Sequence, residues 1–240
     1  MMMSDNSQNS AMRYKLVLFL WFFSCLLCGA YFFGAMARSG VAFEALVYLP
    51  KTLVVVWKGV SELLLVFAVW IIVRSKTASK LAISVTVIFI ADIALALGAV
   101  PLAGLLFALA HLLATFVYSN SRPLSPKKPY VKWLSLVPLI LVLTLTLWTL
   151  TRDNFQVIAF FPIFSALAAF TALRSSYPFA MNGLGTIVFW LSDFIFVLAV
   201  IVQGDATPVG WLVWLTFSSG LLLIVLGVLT NERKKYDVVN

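Results

Sequence analysis

Five residues with chemistry to offer stand within otherwise apolar stretches: Lys58, Glu62, Asp92, His111 and Asp193. An ionised side chain in hydrocarbon costs several kcal/mol, so charges placed there are functional candidates by default. Asp92 lies six residues before Gly98, His111 ten residues after Pro101, and Asp193 ten residues before Gln203. At 1.5 Å per helical residue, these spacings set the three groups about 9, 15 and 15 Å from the same end of their helices. Lys58 and Glu62 are four apart, on one helix face and nearer that end. Two buried carboxyls that converge cannot both ionise easily, so one serves as acid and the other as base. That arrangement suits acid–base chemistry, and it suits proton-coupled transport equally well. Taken singly, each residue has a plainer role: His111 in packing, Glu62 as counter-ion to Lys58, either Asp as a helix cap.

Other patterns carry less. Cys25 and Cys28 are three apart on one apolar run. A redox pair needs an electropositive, accessible setting and a metal needs further ligands, so the pair reads as two small membrane-helix side chains. No phosphate loop, zinc-protease or GxSxG pattern is present. No metal and no cofactor are expected. Ser218-Ser219-Gly220 reads as a place where helices approach closely.

The elements that hold these residues follow from composition. Of 240 residues, 62% are hydrophobic and 11% charged, against roughly 45–50% and 25% in a soluble domain. Too few charges remain to cover a surface in water, so the chain reads as an all-α membrane protein. The formal charge of +8 is dispersed between apolar runs rather than gathered on a face, which argues against nucleic acid and for topology signals and contacts with lipid headgroups. About 20 apolar residues cross a bilayer as a helix. Eight segments qualify: Tyr14–Ala37, Val56–Val73, Lys80–Gly98, Pro101–Ser119, Tyr130–Thr151, Phe155–Leu173, Gly183–Gln203 and Pro208–Thr230.

Residues 41–57 are apolar but broken by Pro50 and Lys51, and read as an interfacial lead into the second span or as a ninth span. With eight spans and the N-terminus inside, thirteen of the 17 Lys and Arg fall on the inner side, leaving Arg38, Lys51, Lys58 and Arg152 outside. That bias predicts both termini in the cytoplasm. Residues 1–12 read as a disordered cytoplasmic tail, 13–231 as a single transmembrane domain, and 232–240 as a second cytoplasmic tail holding Glu232 and Asp237. Glu44, Asp153 and Asp205 fall in outer connections, and Ser121–Pro129 in a solvated inner loop. The run from Leu16 to Met36 is longer than a signal-peptide core of about 7–15 residues, so an uncleaved helix is expected. Trp57, Trp133, Trp211 and Trp214 lie near span ends, where indole favours the interface. A bacterial inner or plasma membrane and a eukaryotic endomembrane fit the charge pattern alike, and no oligomeric state is legible.

The stretch from Phe89 through Asp92 to Leu95, followed by Gly104 through Phe107 to His111, resembles the YhhN/lysoplasmalogenase family of integral membrane proteins. Gly185 through Ser192-Asp193 is similar to the family's second motif, which ends in Ser-Asp. The resemblance covers roughly residues 14–230. It implies a multi-pass hydrolase that cleaves the vinyl-ether bond of lysoplasmalogens to a fatty aldehyde and a glycerophospho-head group. On that reading Asp92 and Asp193 form the acid–base pair, as two carboxyls do in glycosidases, and His111 orients one of them or shuttles a proton. Ser192, Lys58 and Glu62 contact the substrate, with Lys58 on the lipid phosphate. The partners implied are a lysophospholipid and membrane lipids. The chain departs from the family pattern at Ala91 (Gly), Gly59 (Pro after the Lys), Phe161 and Phe217 (Tyr) and Leu221 (Gln or His). These departures motivate an alternative, a lipid-binding protein or proton-coupled carrier of the same fold. A purely structural factor would not require two acids at one depth.

Overall fold

In lipid every backbone N–H and C=O must be satisfied within the protein, and a helix does so locally. The computed structural model describes residues 3–41, 51–73, 75–120, 133, 135–150, 161–174, 179–204 and 206–239, and the elements among them are all helical. They are α1 (Met3–Arg38), α2 (Lys51–Ile72), α3 (Lys76–Ala96), α4 (Val100–Ser119), α5 (Val137–Leu150), α6 (Phe161–Arg174), α7 (Phe179–Gln203) and α8 (Gly210–Val239), with a 3-10 turn at Thr207–Val209. Six of the eight α-helices are long and apolar enough to cross a membrane: α1 to α4, α7 and α8. The chain is a polytopic helical membrane protein. The fifth and sixth expected spans are present as shorter apolar helices of 14 described residues each. Ser135 and Leu136 form a turn before α5, and Pro138 sits in its first turn, where a missing N–H costs little.

Three boundaries differ from expectation. α2 begins at Lys51, so residues 51–57 continue the second helix, while 42–50 lie outside the described residues. α1 begins at Met3 and takes in most of the segment read as a disordered tail. That segment holds neither proline nor glycine, and a helix nucleated by the apolar run extends at one hydrogen bond per residue fixed. At the other end α8 runs to Val239, and Glu232 is buried rather than free in a tail. Its carboxylate accepts from the Ser75 backbone N–H at 3.2 Å and the Ser75 hydroxyl at 2.8 Å, anchoring the residue that caps α3. Glu44, Asp153, Asp205 and Ser121–Pro129 lie outside the described residues.

Three pairings set the frame of the site. α3 and α4 form a tight hairpin through Leu97–Ala99, which needs Gly98 at φ +79°, and the Ser84 hydroxyl ties α3 to the Ala110 carbonyl of α4 at 2.8 Å. α1 runs antiparallel to α8, with Trp21 Nε1 donating to Leu222 O at 3.1 Å and Trp214 Nε1 to Cys28 O at 3.2 Å. α7 crosses α8 on Gly185 and Gly220, where a Cβ on Gly220 would meet Phe189 N at 2.6 Å and one on Gly185 would meet Gly220 O at 2.7 Å. Small residues at the crossing let the backbones touch, as Gly220 suggested. Cys25 and Cys28 are unbridged, and Cys28 packs in the core.

Candidate active site

A cavity of about 560 Å³ opens toward the end of the bundle where α1 finishes and α8 starts. Its volume falls in the range of about 300–1,000 Å³ usual for small-ligand sites. α2 supplies Lys58, α3 Asp92, α4 Gly104 and Phe107, α7 Ser192 and Asp193, α8 Trp214 and Phe217, and α1 Tyr31. Asp92 and Asp193 therefore face one cavity from different helices.

Each carboxylate has its own basic partner. Lys58 Nζ forms a charge-assisted hydrogen bond with Asp92 Oδ1. The ammonium also faces the rings of Trp214 at 5.0 Å and Phe217 at 5.7 Å, within the range of cation–π attraction. Its backbone is fixed from behind: the Ser61 hydroxyl donates to Lys58 O at 2.7 Å, and the Ser24 hydroxyl of α1 donates to Ser61 O at 2.8 Å. Across the cavity, His111 Nε2 lies 3.0 Å from Asp193 Oδ2, both side chains being buried. Neither atom has a hydrogen-bond partner. The pair is a contact at ion-pair distance. His111 does not line the cavity itself; Asp193 stands between them, and the imidazole rests edge-on against Phe189 at 5.3 Å.

Two expected substrate contacts take different positions. Glu62 does not reach the cavity wall: it is 1% exposed, and neither carboxyl oxygen has a hydrogen-bond partner. It lies close enough to Asp92 and Lys58 to act on both electrostatically, so Asp92's carboxyl neighbour is Glu62. The i, i+4 spacing left Lys58 free to choose between Glu62 and Asp92, and the packing of α3 on α2 delivers Asp92. Ser192 lines the cavity, but its hydroxyl donates to Val213 O of α8 at 2.9 Å, leaving only acceptor capacity for a ligand.

The aromatic wall was not foreseen. Trp214, expected at the interface, is 4% exposed and stacks on Phe217 at 5.4 Å and against Tyr31 at 4.5 Å. The signal was present in α8, whose buried positions Trp214, Phe217, Leu221, Ile224, Val225 and Val228 recur at helical spacing. Tyr31 carried no comparable signal within the apolar run of α1. Of the positions that depart from the family pattern, Phe217 lines the cavity, whereas Leu221 and Ala91 are buried in the core.

The fold defines a multi-pass membrane protein with a polar-centred cavity inside the helical bundle. A sequence model of the YhhN family matches residues 53–228, well over half of the chain, and the protein belongs to that family. The match takes in Lys58, Glu62, Asp92, His111, Ser192 and Asp193, and it leaves α1 outside. Compared with curated proteins and with solved structures, the chain has no match among either.

Proposed function

We propose that the protein is a membrane hydrolase that cleaves the vinyl-ether bond of lysoplasmalogens. The observation that carries the reading is the pair of cavity-facing carboxylates, each held by a base of its own: Asp92 by Lys58, and Asp193 by His111. Vinyl-ether hydrolysis needs a proton delivered to carbon and a carboxylate to steady the resulting cation and activate water, the division of labour that two carboxyls perform in glycosidases.

The Asp193–His111 pair is the proton donor. Its proton forms a new C–H bond at the β-carbon of the vinyl ether, using the electrons of the double bond, and the ether oxygen shares the positive charge left on the α-carbon. Asp92, ion-paired with the Lys58 ammonium, lies on the other side of that charge and takes a proton from the attacking water. The hemiacetal then collapses. The bond from carbon to the glycerol oxygen breaks, that oxygen receives the proton held by Asp92, and the hemiacetal hydroxyl returns its own proton to Asp193–His111. Aldehyde and alcohol leave, and both pairs are reset. The aromatic wall of Trp214, Phe217 and Phe107 gives the single lipid chain an apolar bed.

The test is aldehyde release from a lysoplasmalogen by purified protein in detergent, beside Asp92→Asn and Asp193→Asn. Release by the wild type and loss of about 10²-fold or more in each variant support the reading. A folded, lipid-binding protein that releases none would sink it in favour of a carrier or lipid-binding protein.

A further inference from the structure

We infer that the last turns of α1 form an anion subsite for the phosphate of a bound single-chain lipid, with Arg38 as its cation and Tyr31 as its platform. The inference rests on the cavity receiving a lysolipid, and it reassigns the phosphate contact from Lys58. Lys58 is committed: Asp92 holds its ammonium, two aromatic faces flank it, and its side chain is only 17% exposed. A second anion arriving there would have to displace a buried ion pair, which leaves a charge uncompensated and is strongly unfavourable.

Arg38 is placed differently. Its guanidinium lies over the Tyr31 ring with Cζ 5.6 Å from the centroid, and Tyr31 itself lines the cavity against Trp214. The next residue, Ser39, approaches the position a Cβ on Gly210 would occupy, to 4.0 Å, and Gly210 is another lining residue. Arg38 is not itself part of the cavity wall, but it and the next residue, Ser39, each lie beside a lining residue, Tyr31 and Gly210. It is half-buried, and no carboxylate pairs with it among the described residues. A guanidinium held over an aromatic ring, with no carboxylate partner among the described residues, has N–H groups to offer, and its planar fork can grip a phosphate bidentately. The depths agree with a lysolipid lying head outward. Asp92 is about 9 Å below the hairpin turn, so a glycerol unit can span from a vinyl ether beside Asp92 to a phosphate at the rim. Both residues precede the segment that the family model matches, so this subsite belongs to α1 of this chain.

The experiment uses the full-length protein in an uncharged detergent with two ligands that cannot be hydrolysed, 1-O-hexadecyl-glycerophosphate and 1-O-hexadecylglycerol. They differ only by the phosphate, and binding is read from tryptophan fluorescence, to which Trp214 reports from the cavity wall. Wild type is expected to prefer the phosphate on the order of tenfold, the scale of one charge-assisted contact. Arg38→Gln removes the preference while binding of hexadecylglycerol persists, and Arg38→Lys retains part of it. Tyr31→Leu, which takes away the platform, lowers the preference as a second and independent variant. A preference that survives in Arg38→Gln, or is absent from wild type, overturns the inference. So does displacement of the ether lipid by inorganic phosphate at equal concentration, which would mark a site for the free anion. Because neither ligand reacts, the result is independent of catalysis: failure to release aldehyde from a lysoplasmalogen would defeat the hydrolase and leave an Arg38-dependent preference standing.

Discussion

Lys58 is bonded to Asp92 on the neighbouring helix and not to Glu62, which lies one turn along its own helix. That choice makes Lys58 the positioning residue for a cavity-facing carboxylate, and it yields a separation of stability from activity. Removing one partner of a buried ion pair costs about 3–5 kcal/mol because the other charge is stranded, while removing both is often nearly neutral. Lys58→Met and Asp92→Asn should each lower the melting temperature in detergent, and the double variant should recover most of the loss. Aldehyde release should stay abolished in all three. Additive destabilisation in the double variant would show that the two side chains are not coupled.

The contact between His111 and Asp193 gives a kinetic prediction. If the pair donates the proton, His111→Gln lowers kcat by about 10²-fold or more, the usual yield of a general acid. KM should change little, because His111 sits behind Asp193 and does not line the cavity. A rise in KM at constant kcat would instead make His111 a residue that shapes the binding site. Circular dichroism and gel filtration of the variant separate either outcome from misfolding.

The layer of chemistry was legible in the sequence because ionisable residues in apolar runs stand out against their surroundings, and depth follows from counting at a fixed rise. That reasoning reached Asp92, Asp193, Lys58 and Ser192 in the cavity wall and His111 behind it. It misplaced Glu62, since spacing on one helix fixes a face and says nothing of which neighbouring helix covers that face. It also read Trp214 as an interfacial residue, because in a membrane protein an aromatic side chain is equally at home against lipid and in the core. Phe116 is 54% exposed and Phe189 1% exposed, yet both lie within apolar helices. Only rotation of one helix against another distinguishes them. The eight described helices were legible as apolar runs; Lys51, a charge that closes a span in hydropathy, is already helical in the structure.

The crossing of α7 and α8 should be among the least forgiving places in the molecule. A methyl group on Gly220 would lie 2.6 Å from the Phe189 amide nitrogen and 2.8 Å from Gly185 O, both backbone atoms that cannot rotate away. Gly220→Ala and Gly185→Ala should each cost at the upper end of the roughly 1–3 kcal/mol typical of overpacking. Gly59→Ala, with open space around its Cβ, should be tolerated. Because Ser192 Oγ ties the same two helices at Val213 O, any separation at the glycines also shifts Asp193. Residual folded protein should therefore show reduced aldehyde release. Normal melting temperatures for both glycine variants would mean that the helices lie farther apart than described.

At the opposite end of the bundle, Glu232 offers a control that touches stability without touching the site. Its two carboxylate oxygens accept from the N–H and the hydroxyl of Ser75, while the Ser75 hydroxyl in turn accepts from Ala78 N–H at 3.2 Å. A carboxylate there completes the cap of α3 and faces the positive end of its dipole. Glu232→Ala strands these buried donors and should cost about 1–3 kcal/mol. Asp92 is seventeen residues beyond Ser75, near the other end of the same helix, so aldehyde release per folded molecule should be unchanged. Hydrogen exchange gives the local readout: amides in the first turn of α3 should lose protection before those around Asp92. If protection falls equally along the whole helix, Glu232 is holding α3 in the bundle rather than capping it.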